Sequence, residues 1–163
     1  MENKFRIAEV NRLPRDTLTE LLGQCVAVGR WARELADGRP YPGVAELLAR
    51  ADAVSDSLTD AEVTRALAGH PRIGERTAAG SRSAAEQSGV DSDRLGGRLA
   101  DANAAYEARF GHIYLVCAAG RSGDELLADL TARMANDPAT ELRVVRRELG
   151  RIAHLRLAEL VTP

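Results

Sequence analysis

One histidine lies in a stretch whose residue types suit acid–base chemistry. His70 is followed directly by Pro71, and Glu75 lies a short loop further on. Because proline restricts the residue before it to extended backbone, the His70 ring must leave the direction of the preceding helical segment. Histidine changes charge near neutral pH, and a nearby carboxylate can orient it. The pair could therefore act as a general acid and base without a cofactor.

A second polar stretch follows at Ser83, Glu86 and Gln87. Ser-x-x-Glu is the capping-box pattern of a helix start, which favours a structural role for Ser83 and Glu86. The same helix start would also leave backbone N–H groups that bind anions. Gln87 adds a side chain that both donates and accepts hydrogen bonds. The structural and the functional interpretation are compatible, and both stay open here.

The last predicted helix carries a charge on its apolar face. Five residues recur there at three- and four-residue spacing: Leu142, Val145, Leu149, Ile152 and Arg156. A charge on a buried face is costly unless it is paired. Arg156 therefore either reaches water or an internal carboxylate, or it points into a cavity and binds an anionic ligand.

The composition excludes several classes of function. The net charge of −2, with both signs interspersed, argues against a nucleic-acid or membrane-surface partner. Lys4 is the only lysine, so Schiff-base chemistry and pyridoxal phosphate are not expected. His70 and Glu75 do not have metal-ligand spacing and no second histidine is near, so no metal site is predicted.

The cysteines indicate the compartment. Cys25 and Cys117 are far apart, form no Cys-x-x-Cys motif and lie among apolar residues. We expect reduced, buried thiols. No signal peptide or membrane-spanning run is recognised, and we expect a cytoplasmic protein.

The elements that must position these residues are predicted to be helical. The 163 residues are 45% hydrophobic but only 4% aromatic, and alanine, leucine, arginine and glutamate dominate. The periodicity predicts one all-α domain over residues 1–163, a bundle of about seven or eight helices without a strand pair. Thr59–Glu62 is a capping box, Gly69 ends that helix before His70, and Asp137-Pro138 opens the last helix. The period of Ile113–Ala119 does not separate strand from buried helix.

Several motifs in order resemble a known family over nearly the whole chain. They are Arg39-Pro40-Tyr41, His70-Pro71-Arg72-Ile73-Gly74-Glu75, Ser83-x-x-Glu86-Gln87, Asn103-x-x-Tyr106-x-x-x-Phe110-Gly111, Tyr114–Ala118, Gly120-Arg121-Ser122 and Leu155-Arg156-Leu157. No one motif decides, but their order and spacing are specific. The chain resembles the 2-oxo-4-hydroxy-4-carboxy-5-ureidoimidazoline (OHCU) decarboxylases of urate breakdown, in their bacterial form.

The resemblance implies a cofactor-free all-α enzyme, usually a homodimer, that converts OHCU to (S)-allantoin and carbon dioxide. It implies that His70 is the proton donor and that Glu86 orients it. It assigns the substrate-binding positions Pro71, Ser83, Gln87, Tyr114, Leu115, Val116, Cys117, Ala118 and Arg156, with the run from Tyr114 to Ala118 acting through its backbone.

The chain departs from the family in one wall of that site. Where the family often has Phe-Gly-Phe-Pro-Phe, this chain has Phe110-Gly111-His112-Ile113-Tyr114. The added imidazole and hydroxyl bear on the shape and polarity of the wall and leave the proton donor untouched. We expect structural roles for His112 and His154.

Two other functions are compatible with the residues alone. The first is a lyase or hydrolase that acts on a related heterocycle in the same pocket. The second is a non-catalytic helical ligand-binding module, in which His70-Pro71 only stops a helix and Ser83–Glu86 only caps one. Product analysis with several purine-derived substrates separates the first from an OHCU decarboxylase.

Overall fold

The architecture is that of a helical protein. The computed structural model describes residues 4–73 and 92–163, with side chains from residue 97 onward in the second range. Eight helices lie in these ranges: α1 Ile7–Arg12, α2 Arg15–Gly23, α3 Gly29–Asp37, α4 Val44–Asp56, α5 Asp60–Leu67, α6 Ser92–Phe110, α7 Gly123–Arg133 and α8 Pro138–Leu160. The all-α prediction is confirmed. Glu75, Ser83, Glu86 and Gln87 lie outside the described residues.

One short strand pair contradicts the expectation of none. β1, Phe5–Arg6, runs parallel to β2, Val161–Thr162, with Phe5 opposite Val161. Each strand has two residues. Two residues are too few to show the alternation by which a strand is recognised in a sequence, which explains the error.

The chain divides into two compact units. The first comprises Met1–Ala66 with Leu149–Pro163, and the second comprises Leu67–Glu148. Helix α8 contributes residues up to Glu148 to the second unit and residues from Leu149 to the first. The single domain proposed from the sequence stays a prediction.

The first unit has its core where α3 packs against α2 and α4. Trp31 on α3 is fully buried, and its indole N–H donates to Ser55 Oγ at 3.0 Å and to the Ala51 carbonyl at 3.3 Å. A buried indole needs such a partner because an unsatisfied donor would cost about 1–3 kcal/mol. The Trp31 ring thereby fixes α3 on α4.

The Arg39-Pro40-Tyr41 motif has a structural role in this unit. Arg39 donates to the carbonyl of Leu13 at 2.5 Å. The Tyr41 backbone exchanges two hydrogen bonds of 2.9 Å with the Asn11 side chain. The motif therefore joins the end of α3 to α1.

Helix ends fall close to where the sequence predicts them. The Thr59 hydroxyl accepts from the Glu62 N–H at 3.2 Å, and Glu62 Oε2 accepts from the Thr59 N–H at 2.8 Å. This reciprocal pair is the predicted capping box. At α8, Asp137 Oδ1 accepts from the Thr140 N–H at 2.9 Å. Both predicted caps are confirmed.

The second unit is built on the packing of α6 against α7. Its buried cluster consists of Ile73, Leu99, Tyr106, Tyr114, Val116, Ala118, Leu126 and Leu130. Residues 113–118 form neither helix nor strand, which answers the question that their periodicity left open. Gly111 and Gly120 flank this stretch with φ values of 75° and 74°, a backbone conformation that favours glycine.

Within residues 4–73 and 92–163, every helix is too short or too polar to span a lipid bilayer.

The Arg30–Glu62 ion pair in the first unit makes stability depend on pH. Arg30 binds both oxygens of Glu62, at 2.8 and 2.9 Å. This bond, followed by the Thr59 N–H, lowers the pKa of Glu62 from 4.5 to about 2. A lowered carboxyl pKa contributes stability that is complete above the unfolded value and is lost as pH falls through the folded value.

We therefore predict that the free energy of unfolding falls more steeply between pH 4.5 and 2 in the wild type than in Glu62→Gln. Urea denaturation at a series of pH values measures both curves. Glu20→Gln, at an exposed position of α2, is the control and should follow the wild type. Parallel curves for the wild type and Glu62→Gln would contradict the assignment.

Candidate active site

His70 lies just beyond the end of α5. Its N–H donates to the Leu67 carbonyl at 3.1 Å, and the residue is half-buried, as is Pro71. The chain turns out of the helix here, as the His-Pro pair predicts. The backbone of His70 is thus held at a helix end by this hydrogen bond and by the proline that follows.

The stretch after His70 is tied to two successive turns of α6. The Asn103 side chain donates to the Ile73 carbonyl at 3.0 Å and is only 5% exposed. Arg72 Nε pairs with Glu107 Oε1 at 2.6 Å. Asn103 and Glu107 are one helical turn apart, so both anchors act along one face of α6. The motif with Asn103 thereby fixes the backbone that carries the histidine.

Arg72 and Glu107 also border a surface hollow. Its volume is about 270 Å³, and its other lining residues are Gly111, His112 and Ile113. The hollow thus joins the stretch after His70 to the start of the run 113–118.

The Tyr114–Ala118 segment packs in the same buried cluster as Ile73. Tyr114, Val116 and Ala118 are members of that cluster, with exposed fractions of 1%, 3% and 4%. The second unit therefore joins two of the predicted site segments through one apolar core. The segment lies outside any sheet, so its buried peptide groups need partners other than a neighbouring strand.

Two side chains of opposite charge bind the backbone of this segment. Arg133 Nη1 donates to the Leu115 carbonyl at 2.8 Å. Glu148 Oε2 accepts from the Cys117 N–H at 2.9 Å. Within the described part of the chain, no hydrogen bond is made to the backbone of Val116, although the residue is buried. A buried peptide group of this kind calls for a partner such as a ligand or water.

Arg133 is itself part of a buried polar network. Its Nε lies 2.7 Å and its Nη2 2.5 Å from Oε1 of Glu141, whose side chain is fully buried. The same oxygen accepts from the Tyr106 hydroxyl at 2.5 Å, and Asn136 donates to Oε2 at 2.9 Å. The Arg133 guanidinium also lies over the Tyr114 ring, 4.6 Å from its centroid.

The electrostatics keep these groups in fixed protonation states. Burial alone would lower the pKa of Arg133, but the hydrogen bond and the charge of Glu141 outweigh it and raise the pKa. Burial, and next the hydrogen bond to Glu141, raise the pKa of Tyr106. Burial and the hydrogen bond to Asp129 raise the pKa of Tyr114. Arg133 stays charged and both phenols stay neutral at physiological pH.

The unusual residues of the Phe110–Tyr114 run have protein partners. The Tyr114 hydroxyl donates to Asp129 Oδ2 on α7 at 2.5 Å. The His112 ring stacks on Phe110 at 6.1 Å and meets the edge of Tyr106 at 5.6 Å. The added phenol oxygen is thus bound by α7. His154 pairs with Asp52 at 2.8 Å, so both other histidines have the structural contacts expected of them.

Arg156 lies in the first unit, and it is buried. Its exposed fraction is 8%, and its Nη1 donates to the Cys25 carbonyl at 3.1 Å. The alternative in which Arg156 reaches bulk water is therefore wrong. Val145, Leu149 and Ile152 are buried on the same helix face, as predicted.

The expectation for the cysteines is met only in part. Cys25 is buried but Cys117 is half-buried, and the two form no disulfide with each other. Among the described residues, no group of three or more histidine, cysteine, aspartate and glutamate side chains could hold a metal ion.

The buried charges that hold the Tyr114–Ala118 segment were not predicted from the sequence. Arg133, Glu141 and Glu148 are all less than a tenth exposed. One signal was available, since Glu141, Glu148 and Arg156 recur about every two turns of α8 and so share one face. The apolar periodicity of that face drew attention only to Arg156, the last of its three charges.

Known proteins match the chain over most of its length. Residues 11–158 match the family described as OHCU decarboxylase. The 2-oxo-4-hydroxy-4-carboxy-5-ureidoimidazoline decarboxylase of Haloferax volcanii is 31% identical over 163 residues, covering 96% of each chain. The protein of the same description from Amia calva is 29% identical and covers 94% of this chain and 93% of its own.

Solved structures agree with the sequence matches. A crystal structure of OHCU decarboxylase in the presence of (S)-allantoin has a TM-score of 0.74 at 26% identity, covering 86% of this chain and 96% of the other. The fold and these matches define the class: the chain is a helical decarboxylase, a lyase. It belongs to the OHCU decarboxylase family, since the family match spans residues 11–158.

We predict that Arg133→Met destabilises the protein by about 3–5 kcal/mol, because it leaves the Glu141 carboxylate buried without its cation. The double variant Arg133→Met/Glu141→Gln should recover much of this loss, since the amide removes the charge and still accepts from Tyr106. Urea denaturation measures all three proteins.

Arg121→Met is the matched control for the Arg133 and Glu141 variants. Arg121 pairs with Asp129 at 3.5 Å near the surface, so its loss should cost less than about 1 kcal/mol. Equal losses for Arg121→Met and Arg133→Met, or a double variant as unstable as Arg133→Met, would contradict the role given to the buried pair.

Proposed function

We propose that this protein decarboxylates OHCU to (S)-allantoin and carbon dioxide, with His70 as the proton donor. Family membership supports the reaction. The observation that carries the site assignment is the shared core of the second unit, which joins the stretch after His70 to the Tyr114–Ala118 segment through Ile73. A cytoplasmic homodimer is part of the same proposal: the family resemblance implies the homodimer, and the expected reduced state of the two cysteines supports the cytoplasm.

The chemistry needs no external electron sink. The OHCU carboxylate sits beside a carbon–nitrogen double bond that is conjugated to the ring. When the bond to carbon dioxide breaks, its electron pair moves into that system. A proton is then delivered to carbon on one face, which fixes the handedness of allantoin. The protein must hold the carboxylate in line, balance its charge and supply that proton.

His70 is proposed to deliver the proton because its backbone is held at a helix end by Pro71 and by the anchored stretch that follows. A fixed position selects one face of the substrate. Glu86 would orient the ring and favour its protonated form, as an adjacent carboxylate does. Ser83 and Gln87 would bind the polar edge of the substrate.

Backbone groups of the Tyr114–Ala118 segment are proposed to bind the substrate as well. Leu115 and Cys117 already use one group each, toward Arg133 and Glu148. Val116 is the best candidate, because its buried peptide groups make no hydrogen bond within the described residues. Arg156 would supply the cation for the substrate carboxylate.

The reaction is tested by circular dichroism of OHCU generated in situ from urate. With the protein we expect rapid loss of the substrate signal and accumulation of optically active (S)-allantoin. Decay at the rate of the blank, ending in racemic allantoin, would reject the decarboxylase and favour the non-catalytic binding module. Carbon dioxide release with another purine-derived heterocycle only would favour the related lyase.

We predict that His70→Gln lowers turnover by about two to four powers of ten, the range for a removed general acid. His154→Gln is the matched control, because that ring pairs with Asp52 at an exposed position, and it should keep wild-type turnover. The same dichroism assay measures both variants. A folded His70→Gln enzyme with wild-type turnover would remove His70 from the mechanism.

We predict that Arg156→Lys raises KM at least about tenfold while kcat changes less, because lysine keeps the charge but loses the planar fork that binds a carboxylate with two bonds. Steady-state kinetics on OHCU measure both constants. Arg147→Lys, at an exposed position of α8, should leave both unchanged. An unchanged KM in Arg156→Lys would indicate that this arginine only supports the Cys25 backbone.

A further inference from the structure

A buried carboxylate outside the expected site contacts the Tyr114–Ala118 segment. Glu148 on α8 is 6% exposed, and its Oε2 accepts from the Cys117 N–H at 2.9 Å. The resemblance assigns Glu148 no role.

The hydrogen bond between Glu148 and Cys117 lies next to the backbone that is proposed to bind substrate. Cys117 directly follows Val116, whose backbone is the proposed substrate-facing group of the segment. Leu115, directly before Val116, is held by Arg133 at 2.8 Å. Val116 therefore lies between two peptide groups that are each fixed by a buried charge.

Among the residues that the structure describes, no neighbouring strand holds the backbone of residues 113–118 in place. Residues 113–118 belong to no helix or strand, and the flanking Gly111 and Gly120 have positive φ values of 75° and 74°. A buried stretch between two such turns would have several accessible conformations without side-chain anchors. Two charged side chains supply such anchors, Arg133 at Leu115 and Glu148 at Cys117.

We infer that Glu148 is a positioning residue for substrate binding: it fixes the Cys117 amide, and through it the direction of the Val116 peptide groups. This inference rests on the proposed function, since it concerns the segment that would bind OHCU. Glu148 transfers no proton in this account, because the contact that matters here is the hydrogen bond that it accepts from the Cys117 N–H.

Two conservative variants separate positioning from acid–base or general charge effects. Glu148→Gln loses the charge but keeps an acceptor oxygen at the same reach. Glu148→Asp keeps the charge but withdraws the acceptor by one methylene. A positioning role predicts a mild effect for glutamine and a large one for aspartate, whereas an acid–base or charge role predicts the reverse. Glu159→Gln and Glu159→Asp, at an exposed position of the same helix, are the matched controls.

In steady-state kinetics on OHCU, we expect Glu148→Gln to stay within about threefold of the wild-type kcat/KM. Glu148→Asp should lose about tenfold or more, mainly through KM, because a misplaced binding segment weakens substrate binding more than the chemical step. Wild-type constants in Glu148→Asp, or a greater loss in Glu148→Gln than in Glu148→Asp, would overturn the inference.

Amide hydrogen exchange at Cys117 gives a readout that does not depend on activity. Exchange should accelerate about tenfold or more in Glu148→Asp and stay near the wild-type rate in Glu148→Gln. Unchanged exchange in Glu148→Asp would overturn the inference even if OHCU is the substrate. If the wild-type protein fails to accelerate OHCU decay, the proposed function fails separately, and the exchange rates still decide the Glu148–Cys117 contact.

Discussion

A buried ion pair, Arg133 with Glu141, holds the second unit together. Arg133 is almost completely buried, and the Glu141 side chain that pairs with it is fully buried. Removing two charges from water costs several kcal/mol for each ion, and the attraction offsets this only when further hydrogen bonds complete the geometry. Tyr106 and Asn136 complete the acceptor side, and the Leu115 carbonyl completes the donor side. The pair therefore fixes a backbone segment as well as two helices.

That constraint explains how a helical protein can present peptide groups for binding. Helices use nearly all of their backbone groups internally, so a substrate that is read by backbone contacts needs a stretch outside them. The Tyr114–Ala118 segment is such a stretch, and buried charges hold it where a sheet would use neighbouring strands. The proposed proton donor lies on a second non-helical stretch, which Asn103 and Glu107 fasten to α6.

The two residues that depart from the usual family pattern, His112 and Tyr114, also contact groups of the second unit. The Tyr114 hydroxyl reaches Asp129, and the Tyr114 ring lies under the Arg133 guanidinium. The hydrogen bond from the Tyr114 hydroxyl to Asp129 adds a further contact between the Tyr114–Ala118 segment and α7. His112 packs on two aromatic rings. The altered residues thus have partners within the second unit.

The sequence predicted what short-range rules determine. Helix content, the Thr59 capping box, the start of α8 at Pro138 and the turn at His70 all follow from neighbours within four residues. The pairing of Phe5 with Val161 was missed because it joins distant residues through strands of two residues each. Arg133 and Glu148 were missed for a related reason. A charge is recognised as buried only when its long-range partner is known, and apolar periodicity does not reveal that partner.

The central claim is that a ligand binds at His70 and at the segment held by the buried charges. It is tested most directly by titrating (S)-allantoin, the proposed product, into isotope-labelled protein and following amide signals by NMR. We expect saturable shifts at Val116 and its neighbours in the segment, and at His70. Unchanged signals at Val116 and His70, with shifts confined to residues outside 70–73 and 113–118, would contradict it.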